Sequence, residues 1–199
     1  MSTSEEDVVA SVEEAKRHST CLKMLNKSLN RCPKVKFILE HLEKLGCSLP
    51  VEAITCEPCT GMEISGGWGY GDGPDGKPKP QVVLCEDKGI MTQTMVDHTL
   101  AHELIHAYDQ CRIKVDWNDC LHRACSEIRA SNTSGECSYG MELGRGNWHW
   151  GGQQKECVKR RAALSLSASP LCAEKAKDFV ETAFPACFYD TQPYDKNPL

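Results

Sequence analysis

The feature that most constrains the fold is the segment HELIH at residues 102–106. Residues four positions apart lie on one face of an α-helix, so His102 and His106 can bind one zinc ion if this segment is helical. Glu103 lies beside them and can act as general base toward a metal-bound water. The apolar neighbours indicate a buried helix, in which two imidazoles and a carboxylate need the compensation that a metal provides. We therefore predict a long helix from Met91 to about Lys114 that carries a zinc site.

Such a site needs a third protein ligand, and the sequence offers three candidates. Asp109 stands where the extended motif HExxHxxGxxH has its glycine, which excludes that variant. Glu127 lies 21 residues after His106 on a second predicted helix, a spacing that suits a glutamate ligand. His122 could bind the metal if that helix turns differently, and otherwise could donate to the developing oxyanion. Asp109 lies about 10 Å along the helix axis from the first histidine, so it fits better as acceptor for the outer ring N–H of His106.

Two histidines and a glutamate leave the fourth zinc position open, which is typical of catalytic rather than structural zinc. The predicted reaction is hydrolysis of a peptide bond, in which zinc polarises the carbonyl and Glu103 takes a proton from water. The predicted strand 81–85 comes directly before the helix and could pair with an extended substrate as an edge strand. The residues therefore predict one zinc ion per chain and a protein substrate.

The pattern along the chain predicts an α+β fold with a small antiparallel sheet and several helices. We expect an acidic arm, helical or partly disordered, over residues 1–31 and one domain over 32–199. The predicted strands are 51–56, its hairpin partner 62–65, and 81–85, whereas the glycine-rich stretch 66–80 is predicted to be an exposed loop. Besides the site helix, the predicted helices cover residues 33–45, 119–131, 154–166 and 173–182.

Thirteen cysteines among 199 residues predict covalent support for a lean core. Many thiols favour an oxidising compartment, whereas residues 1–10 lack the apolar segment of a signal peptide and are too acidic for a mitochondrial presequence. The mitochondrial intermembrane space satisfies both observations, and a cytosolic metal-thiolate protein is the alternative. The pair Cys56 and Cys59 has no second CxxC, which favours disulfides over structural zinc or a redox dithiol. Because the cysteine count is odd, at least one thiol stays unpaired, and a bridge between Cys111 and Cys125 would tie two parts of the metal site together.

The charge of the chain argues against nucleic-acid binding. With 23 basic and 28 acidic residues the net charge is -5, so there is no overall basic field, and direct nucleic-acid binding is not expected. A local patch combines the aromatic segment 148–150 with Lys155 and the basic run 159–161. This patch is either a solvated helix face or a contact with membrane headgroups or a hydrophobic substrate segment.

Four ordered blocks resemble a known family: HELIHAYDQCR at 102–112, HRACSEIRA at 122–130, ECVKRRA at 156–162 and CFYDTQPYD at 187–195. They are similar to the mitochondrial inner membrane proteases that process and help to assemble the ATP synthase, a family also described as Ku-binding, over about residues 32–198. The resemblance implies a zincin-like, zinc-dependent endopeptidase, peripherally attached to the inner membrane on its intermembrane-space side. Its implied substrate is the precursor of an ATP synthase membrane subunit. The resemblance also leaves two alternatives, a non-proteolytic assembly chaperone and a Ku-binding nuclear adaptor.

Overall fold

The computed structural model describes residues 5–62, 64–73, 76–87, 92–148 and 151–198. Seven helices and three strands make up this part of the chain, which confirms the mixed α+β class. In chain order they are α1 (Glu5–Arg31), α2 (Pro33–Lys44), β1 (Ile54–Glu57), β2 (Gly66–Asp72), β3 (Pro78–Cys85), α3 (Gln93–Ile113), α4 (Cys120–Thr133), α5 (Tyr139–Gly144), α6 (Gln153–Ser167) and α7 (Ala176–Cys187). None of the described helices is both long enough and apolar enough to cross a membrane.

Local capping explains where the helices around the site begin. Pro33 occupies the first turn of α2, where its missing N–H is not needed. The Thr92 side chain accepts a hydrogen bond from the backbone N–H of Met95 at the start of α3. The Asp119 carboxylate accepts from the backbone N–H of Leu121 at 2.8 Å and so caps α4. The predicted helices at these three places are confirmed.

The sheet differs from the prediction in three respects. Its strand order is β1-β3-β2, with β1 parallel and β2 antiparallel to β3, so it is mixed rather than antiparallel. The stretch 66–80 is not a loop, because it contains β2 and the start of β3. Residues 81–85 lie in the central strand and not at the edge, and residues 62, 64 and 65 form no strand beside β1, while residue 63 lies outside the described part.

A close approach of β2 to α3 explains the glycine at position 66. A Cβ atom at Gly66 would lie only 2.7 Å from the Thr99 Cγ2 atom and 2.9 Å from the carbonyl oxygen of Val83. Glycine is therefore required here for packing between strand and helix rather than for a flexible turn. The sequence pattern did not separate these two uses of glycine.

The C-terminal part of the first helix packs into the fold. The buried side chains of Cys21 and Leu25 belong to the same hydrophobic core as those of α2 and α3. Cys21 also forms a disulfide with Cys56 in β1. The C-terminal part of α1 is thus held covalently against the sheet.

Two hydrophobic cores divide the molecule into an N-terminal half, residues 5–113, and a C-terminal half, residues 120–198. The first core lies between α1, α2, α3 and the sheet and also includes Ala130 of α4, and the second lies between α4, α6 and α7. Each half contains three disulfides: Cys21–Cys56, Cys47–Cys111 and Cys59–Cys85 in the first, and Cys120–Cys172, Cys125–Cys187 and Cys137–Cys157 in the second.

The disulfide pattern corrects one prediction and answers one question. The predicted bridge between Cys111 and Cys125 is wrong, since Cys111 pairs with Cys47 and Cys125 pairs with Cys187. Both cysteines are used within their own half of the molecule. All thirteen cysteines lie in the described residues, and the unpaired one is Cys32.

Candidate metal centre

The two halves meet where α3 packs against α4, and three predicted ligands converge there. The His102 Nε2 atom lies 3.3 Å from Glu127 Oε2, and the His106 Nε2 atom lies 3.6 Å from Glu127 Oε1. One donor atom from each residue falls within 4.8 Å of the others, a spacing that a single metal ion can bridge. The structure therefore brings together the predicted pair of histidines and the predicted glutamate.

The outer nitrogens of both imidazoles are already engaged, which allows a test of the fit to zinc. The His102 Nδ1 atom lies 3.0 Å from Glu136 Oε1, and the His106 Nδ1 atom lies 2.8 Å from the Ser126 hydroxyl oxygen. Because each Nδ1 has an oxygen partner, each Nε2 is left facing Glu127. Two imidazole nitrogens and one carboxylate oxygen match the donors of a catalytic zinc site.

Glu103 is the buried carboxyl next to these ligands. It lies on α3, and its carboxylate accepts a hydrogen bond from the backbone N–H of Trp68 in β2. Both the helix and the strand therefore position this carboxylate. Burial raises the pKa of Glu103 to about 7. The charge of His102 acts to lower this pKa, and the charges of Glu127 and Glu136 act to raise it. A carboxyl with a pKa near neutrality can both accept and return a proton, as a general base must.

The two histidines have different electrostatic surroundings. Burial lowers the pKa of His106 to about 4, more than the carboxylate of Glu127 can offset. Burial also opposes the charge on His102, but the carboxylates of Glu136 and Glu127 outweigh it and raise the His102 pKa well above its ordinary value. His106 is therefore neutral and ready to bind a metal, whereas a metal at His102 must displace a proton.

Asp109 acts on His106 through an intermediate group. The Ser126 hydroxyl donates to Asp109 Oδ2 at 3.0 Å and accepts from His106, so the predicted direct hydrogen bond from His106 to Asp109 is replaced by a relay. Asp109 itself is paired with the Arg129 guanidinium, whose Nε lies 2.9 Å from Asp109 Oδ1. Ser126 lies on α4, so its contact with His106 depends on how α4 packs against α3. No spacing rule along α3 could indicate this contact.

His122 lies outside this group. It is exposed in the first turn of α4, and its Nδ1 atom accepts a hydrogen bond from the backbone N–H of Asp116 at 3.3 Å. It neither joins the three donor atoms nor lines the cavity beside them. Its predicted role in binding an oxyanion gains no support from this position.

A cavity of about 430 Å³ lies beside His102 and Glu103. Residues from both halves line it, so it opens along the contact between them. Its wall combines apolar and basic side chains and includes Met95, His98, Met141, Arg145, Arg161 and Leu164. The first residue of the edge strand β2, Gly66, also lines the cavity, which places an open strand edge at the site.

Sequence reasoning missed Glu136 and Arg161. Glu136 follows α4 in a turn, where no helical period applies, and Arg161 was included in the basic run 159–161. In the structure all three residues of that run are ion-paired: Lys159 with Glu181, Arg160 with Glu142 and Arg161 with Glu136. Much of the charge of the predicted patch is thus neutralised within the fold, and residues 149 and 150 of the patch lie outside the described residues.

Comparison with known proteins agrees with this geometry. The profile of the peptidase M76 family matches residues 19–195. A protein of Schizosaccharomyces pombe named mitochondrial inner membrane protease atp23 is 38% identical over 185 residues, which cover 92% of this chain and 95% of that protein. A protein of the same name from Coccidioides immitis is 37% identical over 194 residues, which cover 96% of this chain and 76% of its own. No solved structure matches. The chain therefore belongs to the peptidase M76 family, which confirms the predicted mitochondrial metallopeptidase.

Proposed function

We propose that this protein is a zinc-dependent endopeptidase with a zincin-like active site and one zinc ion per chain. His102, His106 and Glu127 would hold the ion, and Glu103 would be the general base. The observation that carries the proposal is the convergence of both Nε2 atoms on the Glu127 carboxylate at 3.3 and 3.6 Å. When bound, zinc would polarise the scissile carbonyl and acidify a water molecule.

Glu103 would move the protons of the reaction. Its pKa of about 7 lets it take a proton from water and deliver that proton to the leaving amine. The N–H of Trp68 holds the carboxylate in place beside the cavity. This hydrogen bond comes from the N-terminal half.

The edge strand β2 is the proposed binding site for an extended substrate. It replaces the earlier candidate 81–85, which lies in the central strand. It is an outer strand of the three-stranded sheet, so one side of its backbone has no neighbouring strand among the described residues. Addition of a peptide to such an edge would align it with the cavity beside Glu103.

We further propose a peripheral location on the intermembrane-space side of the inner membrane, with a precursor of an ATP synthase membrane subunit as substrate. Its relatives are named mitochondrial inner membrane proteases. Six disulfides support an oxidising compartment, because a reducing cytosol or nucleus would keep such thiols unpaired. The disulfides thus favour this location over that of a nuclear Ku-binding adaptor.

The proposal is tested with Glu103→Gln, which preserves the shape of the side chain but removes the base. Cleavage of the precursor subunit by the purified protein should fall by about 10²–10⁴-fold, the usual contribution of a general base, while bound zinc stays at the wild-type level. Glu156→Gln, an exposed glutamate on α6, is the matched control and should cleave normally. Full cleavage by zinc-loaded Glu103→Gln would refute the assignment. Loss of cleavage with normal ATP synthase assembly would show that an assembly role is separate.

A further inference from the structure

We propose that Glu136 is a positioning residue that fixes the His102 ring in the tautomer that presents Nε2 to the metal. The inference rests on the proposed function, since it assigns a task within the zinc site. It concerns a residue in the C-terminal half that controls a ligand in the N-terminal half.

Both carboxylate oxygens of Glu136 have fixed partners. Oε1 lies 3.0 Å from His102 Nδ1, and Oε2 accepts a hydrogen bond from Arg161 Nε at 2.8 Å. The backbone carbonyl of Glu136 accepts a further hydrogen bond from Arg145 at 2.6 Å. With its side chain only 9% exposed, Glu136 cannot readily turn away from His102.

The turn that carries Glu136 is itself held in place from two sides. Gly135 has φ 106, and a Cβ atom there would lie 2.7 Å from His98 Nε2, so the turn approaches α3 closely at a position that requires glycine. His98 precedes His102 by four residues and therefore lies one helical turn away from it. On the other side, Cys137 is joined by a disulfide to Cys157.

This disulfide ties the turn to the same part of α6 that supplies the supporting arginine. Cys157 precedes Arg161 by four residues, and residues at that separation share a helix face. The Cys137–Cys157 bridge thus places the Glu136 turn and the Arg161 guanidinium in a common frame. Arg161 on α6 contacts Oε2, the carboxylate oxygen of Glu136 that is not bonded to His102, and so supports the carboxylate on its other side.

The chemical consequence is a choice of tautomer. A carboxylate only accepts hydrogen bonds, so the proton of the His102 ring must lie on Nδ1, which leaves the Nε2 lone pair directed at Glu127 and the metal. His106 has a neutral hydroxyl, that of Ser126, in the equivalent place. Of the two partners of the imidazole rings, Glu136 is the charged one. Its hydrogen bond is therefore the stronger, and it controls the position of the ring proton more tightly than Ser126 does.

Glu136→Gln tests the role because Arg161 dictates how the new amide is oriented. The guanidinium requires an oxygen, so the amide NH₂ faces His102 Nδ1 and favours the proton on Nε2, the wrong atom for metal binding. The zinc dissociation constant, measured by competition with a chromophoric chelator, should rise by about 10–100-fold. The matched control is Glu86→Gln, another buried glutamate bonded to a histidine ring, that of His18, which does not line the cavity and should leave zinc affinity unchanged.

A second measurement does not depend on zinc. Nitrogen-15 NMR of the His102 ring, recorded on the metal-free protein at alkaline pH where the ring is neutral, should show the proton on Nδ1 in the wild type and on Nε2 in Glu136→Gln. A wild-type ring protonated on Nε2 would overturn the inference, as would a variant with wild-type tautomer and zinc affinity. A wild-type protein with the expected tautomer but no affinity for zinc would instead overturn the proposed function.

Discussion

The N-terminal and C-terminal halves are stabilised in the same way but differ in what they contribute to the site. The first combines a mixed sheet with three helices, the second is helical in its described residues, and each contains three disulfides within itself. The first supplies two histidines and Glu103, the proposed general base, whereas the second supplies Glu127 and both groups that contact the outer ring nitrogens, Ser126 and Glu136. Covalent bonds thus stabilise each half, and non-covalent contacts assemble the site.

Buried and partly buried ion pairs are among those non-covalent contacts. The guanidinium of Arg129 on α4 lies 2.9 Å from the carboxylate of Asp109 on α3, and both side chains are 1% exposed. Near them, Arg112 on α3 lies 2.7 Å from Asp190 in the C-terminal tail. Buried ions are costly when unpaired and depend on geometry when paired, so such a cluster fixes how the halves fit together.

The largest expected effect on the contact between the halves comes from Arg129→Met. The variant leaves Asp109 buried without its main partner and should lower the free energy of unfolding by about 3–5 kcal/mol in urea denaturation. Arg31→Met, which removes an exposed arginine at the end of α1, is the control and should change stability little. A loss below about 1 kcal/mol for Arg129→Met would show that charge pairing does not hold the halves together.

Removing a disulfide should affect one half more than the other. Replacing both Cys125 and Cys187 by alanine removes a disulfide that closes a loop of 62 residues and should lower the free energy of unfolding by about 4 kcal/mol through loop entropy. The same change at Cys137 and Cys157, which are 20 residues apart, should lower it by about 3 kcal/mol. Native-state hydrogen exchange should show the lost protection in α4, α6 and α7, with α2 and the sheet still protected. Equal loss in both halves would mean that they unfold as one unit.

The smallest of these effects depends on pH and involves Asp190. Burial by itself would raise the pKa of Asp190, but the hydrogen bond from Arg112 and the charge of Arg129 outweigh this effect. The pKa of Asp190 in the folded protein therefore lies below its ordinary value of 3.8. Its stabilising contribution is therefore present above that value and disappears as the pH falls through the lower folded pKa. Asp190→Asn should be slightly less stable than the wild type at neutral pH, and thermal unfolding should show the difference closing in acid. A difference of constant size at every pH would exclude this ionic contribution.

The grouping of His102, His106 and Glu127 could be predicted because local geometry largely determines it. Two histidines four positions apart lie one turn apart on any helix, and Glu127 falls on the next helix at a workable distance. The partners Ser126 and Glu136 could not be predicted, since their positions follow from how α3 and α4 pack and from a turn after α4. These positions depend on tertiary packing, and no periodicity along the chain indicates them.

The sheet and the disulfides were less predictable for related reasons. Gly66 serves close packing against α3, but the glycine-rich composition of 66–72 is typical of loops. Cysteine connectivity depends on which segments lie side by side, and Cys111 and Cys125, predicted to pair with each other, each bond within their own half. The odd count did predict one free thiol, and packing determines that it is Cys32.

The central claim is that one metal site is shared between the halves, and its most direct test is the zinc content of Glu127→Ala. The account predicts one zinc per chain in the wild type and loss of zinc on dialysis of the variant, although its histidines and all six disulfides remain. Disulfide mapping and circular dichroism would confirm that the variant is folded. A folded Glu127→Ala protein that retains a full equivalent of zinc would contradict the account, because the N-terminal half alone would then hold the metal.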